Sequence, residues 1–218
     1  MYLCIDIGTN SIKAVEKDPR GIPVKWGILE RENNPFHTSI YNLSEADTIY
    51  CLAALLDKMK IDSNDVIASV PSFLTFTAIA DTPDFSVIPA DSGTFKPFSI
   101  PLPNGKYFLA AIPNEVVEKY ETIFRASGLN LLKLEPESVA LAKNLGSAPG
   151  RSLIVDVGGR STNFVLAQKG FPYFVEHTDF AMASKNPDVI LNKVKEIAVR
   201  QNIKKIIPAN AFSVAEGL

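Results

Sequence analysis

The chain carries one loop twice. The stretch LCIDIGTNSIKAVE at residues 3–16 returns as LIVDVGGRSTNFVL at 153–166, so that Asp6 falls on Asp156, Gly8 on Gly158 and Ser11 on Ser161, each 150 residues on. In both copies an apolar run ends in Asp-x-Gly and a second apolar-rich run follows, the pattern of strand, tight turn, strand. The repeat continues beyond the loop. After the first copy come a Gly21-Ile22-Pro23 turn and a strand over 24–30. A helix opened by Ser44 and Asp47 follows, with Ile49, Leu52, Leu55, Leu56 and Met59 on one face, and then a strand over 66–70. After the second copy come Gly170-Phe171-Pro172 and a strand over 173–177. A helix opened by Asn186 and Pro187 follows, with Ile190, Val194, Ile197 and Ala198 on one face. A strand over 203–207, stopped by Pro208, closes the unit. Coincidence supplies one Asp-x-Gly easily; it does not supply this whole series in one order. The expected fold is α/β, built of two duplicated halves.

A different segment lies between the copies. Residues 73–80 alternate as a strand, and 81–97, rich in Pro, Asp, Ser and Gly, read as a loop. Runs 98–102 and 106–112 flank Asn104-Gly105, a strong hairpin signal. A helix over 114–127 turns Val116, Val117, Tyr120, Ile123 and Phe124 inward and ends at Gly128. A strand over 131–134, a helix over 137–145 and a linker at 146–150 complete the segment. The expected division is 1–71 with 130–150 as the first half, 72–129 as an inserted small α+β subdomain, and 151–218 as the second half.

Composition narrows the function. A net charge of −2 leaves no electrostatic footprint for nucleic acid. No apolar run is long enough to span a bilayer, and no charged segment leads into an apolar one as in a signal peptide. Cys4 and Cys51 fall in a strand-like run and a helical pattern, so they are expected to be reduced thiols of a cytoplasmic protein. His37 and His177 have no neighbour at metal-ligand spacing.

The loops carry the chemistry. A tight turn with glycine aims backbone N–H groups into its bend, which suits phosphate oxygens, and a small hydroxyl residue adds a donor. An aspartate ending the preceding strand holds a metal through water or positions a nucleophilic water. Two such loops would grip one polyphosphate from both sides. The plain alternative is a pair of hairpins that only turn the chain.

These residues resemble the actin, Hsp70 and sugar kinase superfamily, whose RNase H-like halves each bring a phosphate loop. More narrowly, IDIGTNSIKAVE, SVPSFLTFTAIADTP, LAAIPNEVVEKYETIFRASGLNLLKLEPESVALAKNL and IVDVGGRSTNFVLAQKGFP resemble the PilM family. These are cytosolic actin-like proteins of type IV pilus assembly, related to FtsA. The resemblance implies that Asp6, Gly8, Thr9, Asn10 and Ser11 form the first phosphate loop and Asp156, Gly158, Gly159, Ser161 and Thr162 the second. Asp6 and Asp156 would then face a metal ion. It also implies a partner, the N-terminal tail of a PilN-like inner-membrane protein, gripped near the inserted subdomain. Glu135 and Glu137 match a family position near the connection between halves, or only cap the next helix.

Departures from the family set the expectation for nucleotide. Only residues 178–186 stand where the family inserts a second small subdomain, so the resemblance is to a reduced version. Pro208-Ala209-Asn210-Ala211 stands where the family has glycines against the nucleotide. Losing one wall of a base pocket removes roughly 150 Å² of apolar burial, about 4 kcal/mol. ATP and Mg²⁺ binding is therefore expected to be weak or absent. Arg160 either compensates or sits in solvent. The reading is a cytoplasmic scaffold with no catalytic residues, held at the inner membrane through its partner. The alternatives are an active small ATPase or a pantothenate kinase-like enzyme of the same superfamily, and an FtsA-like filament protein. The kinase would need an acid in a Gly-x-Asp context, but Asp81, Asp84 and Asp91 lie in the proline-rich loop. Phe73, Phe76, Phe85, Phe95 and Phe98 either close a small core or line a peptide groove.

Overall fold

A computed structural model describes residues 1–30, 44–89, 91–159, 161–179 and 187–209. His37, Arg160, Asn186, Asn210 and Ala211 lie outside them.

The first sheet joins β1 (Tyr2–Ile7), β2 (Ser11–Lys17), β3 (Pro23–Glu30), β4 (Asp65–Val70) and β8 (Asn130–Pro136) in the order β3-β2-β1-β4-β8. The second joins β9 (Ser152–Val157), β10 (Thr162–Gln168), β11 (Phe171–Thr178) and β12 (Ile206–Ala209) in the order β11-β10-β9-β12. Strand senses match as well: two antiparallel pairs and one parallel pair recur in each. Even the irregularity repeats. The β2–β3 register shifts between Glu16 and Lys17, and the β10–β11 register shifts between Leu166 and Ala167, again 150 residues on. Gly21 and Gly170 turn these hairpins at a φ of +81°, which a side chain would strain.

Strand parity sorts the core into layers. Leu3, Ile5 and Ile7 of β1 face one way, onto Leu52, Leu55 and Leu56 of α1 (Glu45–Met59) and onto Tyr120 and Phe124 of α2 (Asn114–Ala126). Full burial of side chains this large stabilises the fold by roughly 2–3 kcal/mol each. Cys4, of opposite parity, packs on Ala140 of α3 (Glu137–Leu145). On its other flank α3 sets Leu141 and Ala142 against Ile154 of β9 and Val165 and Ala167 of β10. Leu153, Val155 and Phe164 face outward onto Val194 and Ile197 of α4 (Pro187–Arg200). The helix α3 thus lies between the inner faces of the two sheets.

The middle segment forms a third sheet, β5 (Phe76–Ala80), β6 (Phe95–Pro101) and β7 (Tyr107–Pro113), ordered β5-β7-β6. Leu102, Phe108 and Ala110 pack on Val139 of α3, with Phe171 and Tyr173 of β11 alongside. Three sequence expectations need correction. Phe73 and Leu74 belong to a 3₁₀ turn, Ser72–Leu74, and the strand begins at Phe76. The strand expected at 98–102 already begins at Phe95, because Phe95 pairs with Pro113 and is buried against Ile88 and Ala111. The last strand runs through Pro208 rather than stopping there, and 203–205 are not strand. Its position at the edge of the sheet explains this, since an edge strand leaves a proline's missing N–H without a ladder partner to disappoint. No helix among the described residues is long and apolar enough to cross a membrane.

Candidate functional site

Each Asp-x-Gly loop is a hairpin closed by one bond. Gly8 N–H donates to Ser11 O at 2.9 Å, and Gly158 N–H donates to Ser161 O at 2.9 Å. A Cβ on either glycine would press on that serine carbonyl, at 3.1 and 3.0 Å, so the repeated glycines allow the tight turn. These two N–H groups are spent on the turn itself. Thr9 and Asn10 form the first tip; Ser161 and Thr162 are buried in the second. The tips touch. A Cβ on Gly159 would stand 2.2 Å from Asn10 Nδ2, so the Asn10 amide lies directly against the bare glycine of the other loop.

The tight turn also fixes what faces each aspartate. Lys13 stands directly opposite Asp6 across β1 and β2, and Asn163 stands directly opposite Asp156 across β9 and β10. Ser69 of β4 neighbours Asp6, while Ala209 of β12 holds the corresponding place beside Asp156. By parity all these side chains turn toward α3. Asp6 is fully engaged: Lys13 Nζ donates to Oδ2 at 2.9 Å and Ser69 Oγ to Oδ1 at 2.9 Å. Asp156 has an amide and a methyl where Asp6 has an ammonium and a hydroxyl.

Glu137, the first residue of α3, completes the cluster. Its Oε2 accepts from Ser72 N–H at 3.2 Å and from Asn163 Nδ2 at 3.0 Å, and its carboxyl hydrogen-bonds Asp156. One side chain therefore ties the segment after β4 to both central strands of the second sheet. Burial, then the Asp156 and Asp6 charges, push the Glu137 carboxyl well above the usual range. Burial also raises Asp156, to about 6, against the pull of Lys13. Burial and the neighbouring carboxylates thus favour the protonated form of this carboxyl pair. Burial alone would lower the Lys13 ammonium, but Asp6, with Asp156 and Glu137 behind it, raises it overall. Asn163 Oδ1, Ser72 Oγ and Ser138 Oγ are buried without a hydrogen-bond partner. Glu135, by contrast, turns to Lys133 and Lys143, at 2.6 and 2.8 Å, outside this cluster.

The structure brings together Asp6, Asn10, Asp156 and Gly159 from the sequence-derived set. Lys13, Ser69, Glu137 and Asn163 join them and were not singled out as loop residues. The signal for two of them was present: a two-residue turn after Gly8 puts residue 13 opposite residue 6, and its repeat puts 163 opposite 156. Each Asp6 oxygen accepts one hydrogen bond, and Asn10 lies against Gly159 between the tips. Among the described residues no group of three or more His, Cys, Asp or Glu side chains is placed to hold a metal ion.

No protein-family model matches the chain, and no curated protein matches it. Solved structures do. A chain of the PilM–PilN type IV pilus biogenesis complex aligns with 99% of this chain and 68% of its own length, at a TM-score of 0.70 and 16% identity. A Bacteroides thetaiotaomicron protein with an actin-like ATPase fold aligns over 96% of this chain and 80% of its own, at 0.59 and 8%. The cytoplasmic domain of EpsL, an inner membrane component of the type II secretion system of Vibrio cholerae, aligns over 82% and 71%, at 0.55 and 9%. Likeness at these identities is one of fold, and the fold of this chain is actin-like.

Proposed function

We propose that the chain is a PilM-like scaffold of type IV pilus or related secretion assembly, with degenerate nucleotide binding. It works on the cytoplasmic side of the inner membrane and binds the cytosolic N-terminal tail of a PilN-like membrane partner. The observation that carries this reading is a groove of about 450 Å³ beside β5, lined by Phe76, Phe95, Pro113 and Asn114 among others. β5 is a sheet edge, and its residues Phe76–Ala80 include no charge and no proline. The opposite edge, β6, is blunted by Pro97 and Pro101. An extended tail would add main-chain hydrogen bonds along β5 while a side chain enters the groove. The fold likeness to the PilM–PilN complex supports the choice of partner.

A synthetic peptide of the partner's cytosolic tail, labelled for fluorescence anisotropy, tests this. Saturable binding that Phe76→Asp abolishes is expected. A folded wild-type chain that ignores the peptide would remove the reading. For the nucleotide arm, calorimetry with Mg-ATP is expected to give little heat, and a Kd below about 10 μM would restore an ATPase.

A further inference from the structure

β3 is an edge strand of the first sheet, joined to β2 alone among the described strands. Its parity sets two faces. Gly27 and Leu29 turn onto α1, where a Cβ on Gly27 would press on Leu55 and Met59. Val24 and Trp26 turn to the other face and stay 49% and 61% exposed, with Ile22 before them at 49%. The repeat sets this exposure apart. Trp26 stands opposite Val15 and Val175 opposite Val165, so Val175 is the counterpart of Trp26, 149 residues on, and Tyr173 is that of Val24. Those counterparts are covered, packed with Phe108 and Val139. Among the described residues, the first half keeps the apolar stripe without the cover. The edge is also poorly guarded. No proline interrupts residues 24–30, and the Lys25 ammonium is tied back to Asp62 Oδ2 at 2.6 Å, to Lys60 O and to Glu16.

We propose that this stripe is a contact between two copies of the chain, which pair antiparallel along β3 about a two-fold axis at Trp26 and so join their first sheets into one. Such a pair sets Trp26 against Trp26, and Val24 against Ile28 of the other copy, all on one face, so the stripe is its own complement. It sets Lys25 opposite Gly27, which has no side chain to meet it, rather than opposite another lysine. It also brings the Glu30 end of each strand beside the other copy's turn at Arg20, whose side chain is 79% exposed even while it bonds Asp18. Opposite charges thus meet at both ends of the pair. A bilayer would leave the edge N–H and C=O groups without partners, whereas a second strand supplies them. One strand edge falls short of the roughly 800 Å² per partner of a stable interface, so the dimer is a dissociating one. The inference goes beyond the scaffold reading and rests on neither its partner nor its nucleotide half.

The test is sedimentation velocity of the full chain across the micromolar range, read together with the emission of Trp26, its single tryptophan. The wild type is expected to pass from dimer to monomer on dilution, with the emission shifting to the red in step. Trp26→Lys should stay monomeric throughout with unchanged circular dichroism. Val199→Lys, at an 82% exposed residue of α4, should dimerise as the wild type does. Arg20→Glu and Glu30→Arg should each weaken the dimer several-fold, and the two together should restore it. These charge variants decide the matter even if Trp26→Lys does not fold, since a double variant that fails to recover overturns the antiparallel pairing. A wild type that is monomeric throughout overturns the proposal, as does a dimer that Trp26→Lys leaves intact. A monomer whose Trp26 emission shifts to the blue on phosphatidylglycerol vesicles also overturns it and gives the stripe to a lipid surface.

Discussion

Asn163 holds the place opposite Asp156 that Lys13 holds opposite Asp6, so the second loop sets an amide where the first sets an ammonium. That amide also reaches Glu137 at 3.0 Å. Replacing it by Asn163→Leu should leave a buried carboxyl short of a donor and cost about 2–3 kcal/mol. Urea unfolding followed by circular dichroism measures this. An unchanged midpoint and slope would show that Glu137 does not rely on Asn163.

The Glu137–Asp156 pair gives a pH dependence of definite sign. Both carboxyls are raised in the folded chain, by burial first and then by neighbouring carboxylates. Asp6 from β1 and Lys13 from β2 are the charged groups facing them. A raised carboxyl means that the folded chain binds more protons than the unfolded one, from an ordinary value of about 4 up to the folded value. Its contribution is therefore greatest in acid and is lost as pH rises through about 6, the folded Asp156 value. Glu137→Gln keeps an amide donor to Asp156 without the second titrating acid. Relative to wild type, it should gain stability as pH rises above the ordinary carboxyl range, because the wild type alone then loses the raised Glu137 proton. Parallel melting curves for the two proteins across that range would contradict the sign.

Gly146, after α3, has no room for a methyl group. A Cβ there would lie 2.3 Å from Ala167 Cβ and 2.7 Å from Ala142 O. Because one of these is backbone, Gly146→Ala should cost about 2–3 kcal/mol or more. Gly150, with nothing within 4 Å of its Cβ position, is the control, and Gly150→Ala should change stability by less than about 0.5 kcal/mol. Equal melting temperatures for the two variants would refute the packing around α3.

The aromatic residues of the middle segment separate by burial. Phe95 is 6% exposed and Phe76 is 43% exposed, although both line the groove. Phe95→Ala should destabilise the chain by about 3–4 kcal/mol, as removal of a core ring does. Phe76→Ala should change stability by under about 1 kcal/mol and act on peptide binding instead. Thermal melts and anisotropy on the same samples distinguish the two effects.

The fold was legible because both halves obey short-range rules. The apolar runs at 2–7 and 153–157 each alternate between two buried faces, and Ser44 caps its helix as the sequence suggests, through Asp47 N–H. Pro208 misled because a proline ends a central strand but not an edge one, and strand order is not a local property. Phe73 misled because alternation cannot distinguish a strand from a single 3₁₀ turn leading into one. The loops were legible as turns, with Asp6 and Asp156 at their bases. What surrounds the aspartates was harder to read. Ser69 arrives through a parallel pairing across sixty-odd residues, and Glu137 through the packing of α3 between two sheets. Neither relation leaves a mark in the neighbouring sequence.

The placement of α3 sets an order of events during synthesis. All five strands of the first sheet lie within residues 2–136, so that sheet and its α1–α2 layer can close while the rest is still being made. Once docked on that sheet, the helix would have Ala140 covered by Cys4, with Leu141 and Ala142 bare until β9 and β10 follow. During that interval the nascent chain shows an apolar stripe on a finished platform. The second sheet consequently assembles against a surface already in place, and chaperone binding during translation should concentrate between the emergence of α3 and that of β10.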